Sequence, residues 1–333
     1  MASAANEVKT SDKLIAVTGA SGYIAGHIIP LLLQKGYKVR GVVRDLSKRS
    51  KYEHLLRLPG ASDAGRLEFV QADLQDNKYG EILKGCYGLI HTASPYIYEA
   101  ADAERDIVAP AIAGTTSAIN AAIAAGVKRV VVTSSGGAVL HFPVEPNYAF
   151  TAKDWNNWSS VQNNPYFFSK RQAEKAAWDL YEQNKDRFEL VVVNPLYVLG
   201  PPLTAELNTS LKLVKEWLVG ENKNVRPGRI GLVDVRDVAT AHVIALEHPD
   251  AKGQRLLCAA ETPLWKDVTD KMKQQFPAFP VTLDSTSPVV PAWSVDTTPL
   301  KQLGMPAFRS LDTMVKDTVE AFVQLGVVKV PSA

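Results

Sequence analysis

With only two cysteines in 333 residues, Cys86 and Cys258, the chain has no disulfide framework to lean on. Each lies in an apolar segment that reads as a strand or its edge, which points to buried thiols and a reducing, cytoplasmic compartment. Charge of one sign is lacking as well. The 37 Lys+Arg nearly balance the 35 Asp+Glu, and no block of five or six like charges occurs, which argues against a nucleic-acid partner. No uninterrupted run of about 18 apolar residues is present. The nearest, Ala109 to Val132, is broken by threonines, Asn120 and Lys128-Arg129, so no membrane partner is expected. The six histidines are scattered without zinc-type spacing to the cysteines, which leaves no metal site to expect. Gly-x-Ser-x-Gly and Glu-x-x-His, which would suggest hydrolysis, are missing too.

What is present is a chain long enough for one large α/β domain or two unequal ones. Met1 to Asp12 is small and polar and reads as a disordered leader. Lys13 to Thr18 is a short apolar strand that runs into Gly19-Ala20-Ser21-Gly22-Tyr23-Ile24-Ala25 and then a helical pattern. Strand, glycine turn and helix at the start of a domain form the context a dinucleotide fingerprint requires. Gly19 would permit the tight turn and Gly22 the approach of a pyrophosphate. Ser21, Tyr23 and Ile24 would surround that group at the positive end of the helix. The second strand, Lys38 to Arg44, ends in Arg44, with Lys48, Arg49 and Lys51 behind it. A basic residue there accommodates a 2′-phosphate and favours NADP; Asp45, one residue on, is the alternative contact for an unphosphorylated ribose.

Further strands at Leu67 to Gln71, Gly88 to Thr92, Lys128 to Thr133, Phe188 to Asn194 and Arg255 to Cys258 alternate with helices such as Ala109 to Ala125. This pattern predicts a doubly wound parallel sheet, a Rossmann fold, over residues 13–202. A smaller α/β substrate-binding part would occupy 203–333, with 229–247 returning to the first domain. Asp234, Arg236 and Asp237 read as a structural charge cluster and helix cap. Segments His141 to Asn164 and Val281 to Trp293 read as loops near the site. Strand ends carry Asp73, Thr92-Ala93-Ser94 and Ser134-Ser135 to one sheet edge, where ligands bind in such folds. Tyr166 and Lys170, four apart, share a helix face. An ammonium beside a phenol favours the phenolate and so lowers a tyrosine pKa from about 10, which suits a general acid or base.

These motifs, in order, resemble the extended short-chain dehydrogenase/reductases from about Lys13 to Val327. Val42-Val43-Arg44-Asp45, His91-Thr92-Ala93-Ser94-Pro95, Val132-Thr133-Ser134-Ser135 and Val235-Arg236-Asp237-Val238-Ala239 are similar to the dihydroflavonol reductase branch. The resemblance implies Ser135, Tyr166 and Lys170 as catalytic residues. For NADP(H) it implies contacts from Arg44 and Lys51 at the 2′-phosphate, and from Asp73 and Leu74 at adenine. Thr92, Ala93 and Ser94 would line the cofactor, Pro195, Leu196 and Val198 would lie beside the nicotinamide, and Ser210 would touch a phosphate. Leu140 departs from the flavonoid-reading branch, and Asn164-Pro165-Tyr166-Phe167-Phe168 departs from the cinnamoyl-CoA reductases. Ala25 and Asp296 to Leu300 look more like microbial NADPH-dependent aldehyde and ketone reductases of the methylglyoxal type. The expected function is reduction of an apolar or aromatic carbonyl compound by a monomer or homodimer. The alternatives are a nucleotide-sugar epimerase or dehydratase with tightly bound NAD, and a non-catalytic NADP-sensing regulator.

Overall fold

The computed structural model describes residues 10–61, 65–73, 78–94, 100–283 and 290–331. Leu74 lies outside these. The N-terminal half alternates strands and helices: β1 (Leu14–Thr18), α1 (Tyr23–Gln34), β2 (Lys38–Val43), α2 (Glu53–Leu56), β3 (Leu67–Gln71), α3 (Tyr79–Ile82), β4 (Gly88–His91), α4 (Ala109–Ala125) and β5 (Arg129–Thr133). There follow β6 (Tyr148–Phe150), α5 (Pro165–Gln183), β7 (Glu189–Pro195), β8 (Tyr197–Leu199), α6 (Thr209–Leu218), β9 (Leu232–Asp234) and α7 (Val235–Glu247). The chain closes with β10 (Arg255–Cys258), α8 (Trp265–Gln275), β11 (Trp293–Val295), α9 (Thr298–Gln302) and α10 (Leu311–Gln324).

Seven parallel strands form one sheet in the order β10-β7-β5-β4-β1-β2-β3. The strand order reverses between β1 and β4, so the crevice outside their carboxyl ends is where this architecture places a ligand. Strands such as Leu14–Thr18 and Arg129–Thr133 are apolar on both faces because helices cover both. One core layer packs α1 and α7 on the sheet, with Ile28, Ile29, Leu32 and Leu246; the other packs α4 and α5, with Ala118, Ile119 and Ala122. The helical run Glu104–Ala125 passes for a membrane span by length and composition, although threonines and Asn120 interrupt its apolar residues. Half of it is buried in the protein, against α5 and the sheet.

Three expectations need amendment. Thr10–Asp12 is a 3₁₀ turn joined to Lys13 rather than disordered leader, since the Lys13 N–H donates to the Thr10 carbonyl. The segment 141–164 is not all loop: β6 pairs in parallel with β11, Tyr148 opposite Trp293. The sixth strand runs through Pro195, paired with Cys258, rather than breaking there, and β8 then leaves the main sheet and pairs with β9. α7 packs on the sheet beside α1, and β10 joins the sheet as its outermost strand. Asp234 caps α7, accepting from the Arg236 N–H, and its carboxylate also pairs with the Arg236 guanidinium.

Two fully buried histidines make the fold acid-sensitive. His242 donates from Nδ1 to the Val238 carbonyl and accepts from Thr133 Oγ1, and His91 lies 2.9 Å from Thr18 Oγ1. Burial holds both down at about 4. Their folded-state values lie below the unfolded 6.5, so the unfolded chain takes up protons first as pH falls. Stability is therefore full above 6.5 and is lost toward pH 4. At pH 4.5 the loss should be roughly 2–3 kcal/mol per histidine. Denaturant unfolding at pH 7 and 4.5 measures it, and His242→Gln should shrink the difference. Equal losses for the parent and this variant would exclude His242 as a source.

Candidate active site

The site begins where β1 ends. Gly19 adopts φ +64°, a left-handed conformation that a residue with a side chain enters only with strain. A Cβ there would also stand 3.0 Å from Ala93 Cα. Gly22 takes the N-cap position of α1 with no side-chain cap, and a Cβ on it would lie 2.9 Å from the Gly19 carbonyl oxygen. The two glycines therefore leave backbone bare on this turn, at the start of a helix whose first N–H groups have no intrahelical partners. Thr18 Oγ1 accepts from the Ala93 N–H, and Thr92 Oγ1 donates to the Thr18 carbonyl, which fixes the end of β4 beside the turn.

A cavity of about 660 Å³ opens from this turn along the carboxyl edge of the sheet. Gly19, Ser21, Gly22, Tyr23 and Ile24 line it, as do Arg44 and Asp73 from just beyond the ends of β2 and β3. Thr92, Ala93, Ser94, Pro195, Leu196, Val198 and Ser210 border it as well. A turn with glycines at Gly19 and Gly22 beside N–H groups that no side chain caps, with the Arg44 cation lining the same cavity, fits a dinucleotide phosphate chain. Two basic or acidic candidates stand apart. Lys51 does not line the cavity; its ammonium pairs with Glu206 at 2.6 Å. Asp45 accepts from both the N–H and the hydroxyl of Ser47, so its carboxylate builds a turn rather than facing the cavity.

Asn164 caps α5, accepting from the Phe167 N–H, and Pro165 opens the helix. Tyr166 and Lys170 follow one turn apart, each only 7% exposed. The Lys170 ammonium sits 5.2 Å from the centre of the Tyr166 ring and donates to Ser94 Oγ at 2.7 Å. Burial pushes that ammonium down to about 8. Tyr166 and Ser135 line the cavity, while Lys170 lies beneath it against Ser94. Ser135 Oγ accepts from the Gly137 N–H at 3.0 Å, which leaves its own proton to donate. Its neighbour Ser134 donates its hydroxyl to Glu174 instead.

Ile230 and Gly231 are among the lining residues that escaped the sequence, with Tyr79, Pro110 and Asn208. The pairing of β8 with β9 brings Ile230 and Gly231 up to Leu196, and a Cβ on Gly231 would fall 1.9 Å from Leu196 Cδ2. No local pattern announces a contact made by distant strands. Leu140, Leu196 and Ile230 give the cavity an apolar wall. Leu140 and Leu196 are backed by an aromatic cluster that includes Phe150 and Trp293.

Fold and site together define a doubly wound dinucleotide-binding protein with a tyrosine, a lysine and a serine at one cavity. Residues 15–259 match the NAD dependent epimerase/dehydratase family, and the chain belongs to that family, within the extended short-chain dehydrogenase/reductases. It is 37% identical to cinnamoyl-CoA reductase 1 of Petunia hybrida, across 97% of this chain and 96% of the relative. It is 36% identical to the NADPH-dependent methylglyoxal reductase of Saccharomyces cerevisiae, across 79% and 82%. Among solved structures, yeast methylglyoxal/isovaleraldehyde reductase complexed with NADPH matches with a TM-score of 0.83 at 32% identity, covering 95% of this chain and all of that one. Identity this even does not choose between the two branches.

Proposed function

We propose that this protein is an NADPH-dependent oxidoreductase that reduces an aldehyde or ketone to the alcohol. The observation that carries the proposal is that one cavity is lined by the glycine turn and Arg44 together with Tyr166, Ser135 and an apolar wall. Relatives whose names state NADPH dependence support the cofactor. Bound NADPH supplies the hydride.

The chain's own residues do the rest. Gly19, Ser21, Gly22, Tyr23 and Ile24 hold the pyrophosphate, Arg44 the 2′-phosphate and Asp73 the adenine amine. Thr92, Ala93, Ser94, Pro195, Leu196 and Val198 keep the cofactor's reactive end in place, and Ser210 meets a phosphate. Ser135 donates its hydroxyl proton to the substrate carbonyl oxygen. Tyr166 donates its proton to the oxygen as negative charge develops there, and the Lys170 ammonium stabilises the phenolate left behind. Leu140, Phe167, Leu196 and Ile230 present an apolar surface to the rest of the substrate, which favours bulky or aromatic carbonyl compounds over charged ones.

The test is cofactor oxidation with a panel of aldehydes, ketones and acyl-CoA thioesters. Turnover of aldehydes or ketones is expected, with NADPH preferred over NADH by at least tenfold, and Arg44→Ser should remove most of that preference. A charge-assisted phosphate contact is worth about 1.5–3 kcal/mol, roughly 10- to 150-fold. Oxidation only with thioesters would place the chain's activity with the cinnamoyl-CoA reductases. Purification with NAD bound and no net oxidation would overturn the proposal.

A further inference from the structure

Glu174 lies one turn beyond Lys170 on α5 and is 1% exposed. A bare carboxylate at such a position is strongly disfavoured, so its partners must account for it. They do so from four directions. Ser134 Oγ donates at 2.5 Å from the end of β5, Asn194 Nδ2 at 2.7 Å from β7, Arg255 Nε at 2.6 Å from β10, and Trp178 Nε1 at 3.2 Å from the same helix. The carboxylate is saturated, and it does not line the main cavity. It therefore has no lone pair left for proton transfer to a substrate.

Its partners are nevertheless the residues that flank the reacting groups. Asn194 Nδ2 also donates to the Ser135 carbonyl at 3.3 Å, so Glu174 holds Ser134 directly and Ser135 through Asn194. Tyr166 and Lys170 stand on the helix that carries Glu174. The carboxylate is thus a cross-link between the two elements that must meet at the substrate oxygen. Arg255 anchors the far side: its guanidinium donates to the Ala152 and Asp154 carbonyls and lies 3.8 Å over the Trp155 ring. Both Ser134 and Ser135 line the cavity, but by taking up the Ser134 hydroxyl proton the same carboxylate settles which of the two adjacent serines is offered to the substrate.

We propose that Glu174 is a positioning residue for the reduction, setting the placement of Ser135 against Tyr166 through Ser134 and Asn194. This rests on the catalytic roles given above. A misplacement of about 1 Å in such a site costs on the order of 10²-fold in rate, and a partly loosened tether should cost roughly tenfold.

Ser134→Ala removes one hydroxyl and leaves the Glu174–Arg255 pair intact, so it should fold. It should lower kcat about tenfold while NADPH affinity, read by cofactor fluorescence, stays within twofold; Ser134→Thr should restore kcat. Asn194→Leu should act like Ser134→Ala. Glu174→Gln should lower kcat further, and if it does not fold, the Ser134 and Asn194 variants decide. A role confined to stability predicts a lower unfolding midpoint with kcat per folded molecule unchanged. That result for both Ser134→Ala and Asn194→Leu, with Ser135→Ala inactive, overturns the role of Glu174 alone. Parent-like kcat in Ser135→Ala overturns the catalytic assignment beneath it.

Discussion

Tyr166→Phe should lower turnover by about 10²- to 10⁴-fold, the range for losing a positioned general acid. NADPH affinity should stay within a few fold. The substitution deletes one oxygen from a ring that is almost wholly buried, at the start of a helix whose cap is the Asn164 side chain. The helix start and Lys170 are untouched, so the fold should hold. Steady-state rates against an aldehyde or ketone, with cofactor binding followed by fluorescence, separate the two effects. Turnover within threefold of the parent would remove Tyr166 as the proton donor. Tight NADPH binding with lost turnover would also exclude a merely damaged site.

Arg255→Met should lower the unfolding free energy by about 3–5 kcal/mol, the cost of stranding a buried partner charge. The removed guanidinium is 8% exposed, and Glu174, left behind, has no solvent to turn to. The Ala152 and Asp154 carbonyls lose their donor in the same step. Denaturant titration at neutral pH measures the loss. Adding Glu174→Gln to Arg255→Met should recover part of it, because the stranded charge is then gone. A single-variant loss under 1 kcal/mol would show that the pair carries no buried charge cost.

Local signals made much of this site legible. The glycine turn after β1 and the helix Ala109–Ala125 are continuous in sequence, and their residues carry the pattern themselves. Tyr166 and Lys170 were readable because one helical turn brings them together. The short strands β6, β8, β9 and β11 were not, since three residues hold no period and each exists only through a distant partner. Ile230 and Gly231 were missed for that reason. Lys51 was read as a phosphate contact from its basic stretch alone, and nothing local reveals that Glu206, from the segment before α6, stands against it. Ser134 and Ser135 are chemically alike, and only the family resemblance singled out the second. The engagement of Ser134 with Glu174 supplies a physical reason for that choice.

The pairing of β6 with β11 bears on how such a protein could change what it accepts. Leu140 and Leu196 rest on an aromatic layer supplied jointly by Phe150 and Trp293, from strands far apart in the chain yet bonded in register. A new wall cannot be imported by recombining one segment alone, because the transplanted strand would arrive without the partner that completes its hydrogen bonds and packs against its rings. The heritable unit of this surface is the matched pair of segments, and libraries or chimaeras that exchange both together should retain folded members that single exchanges lose.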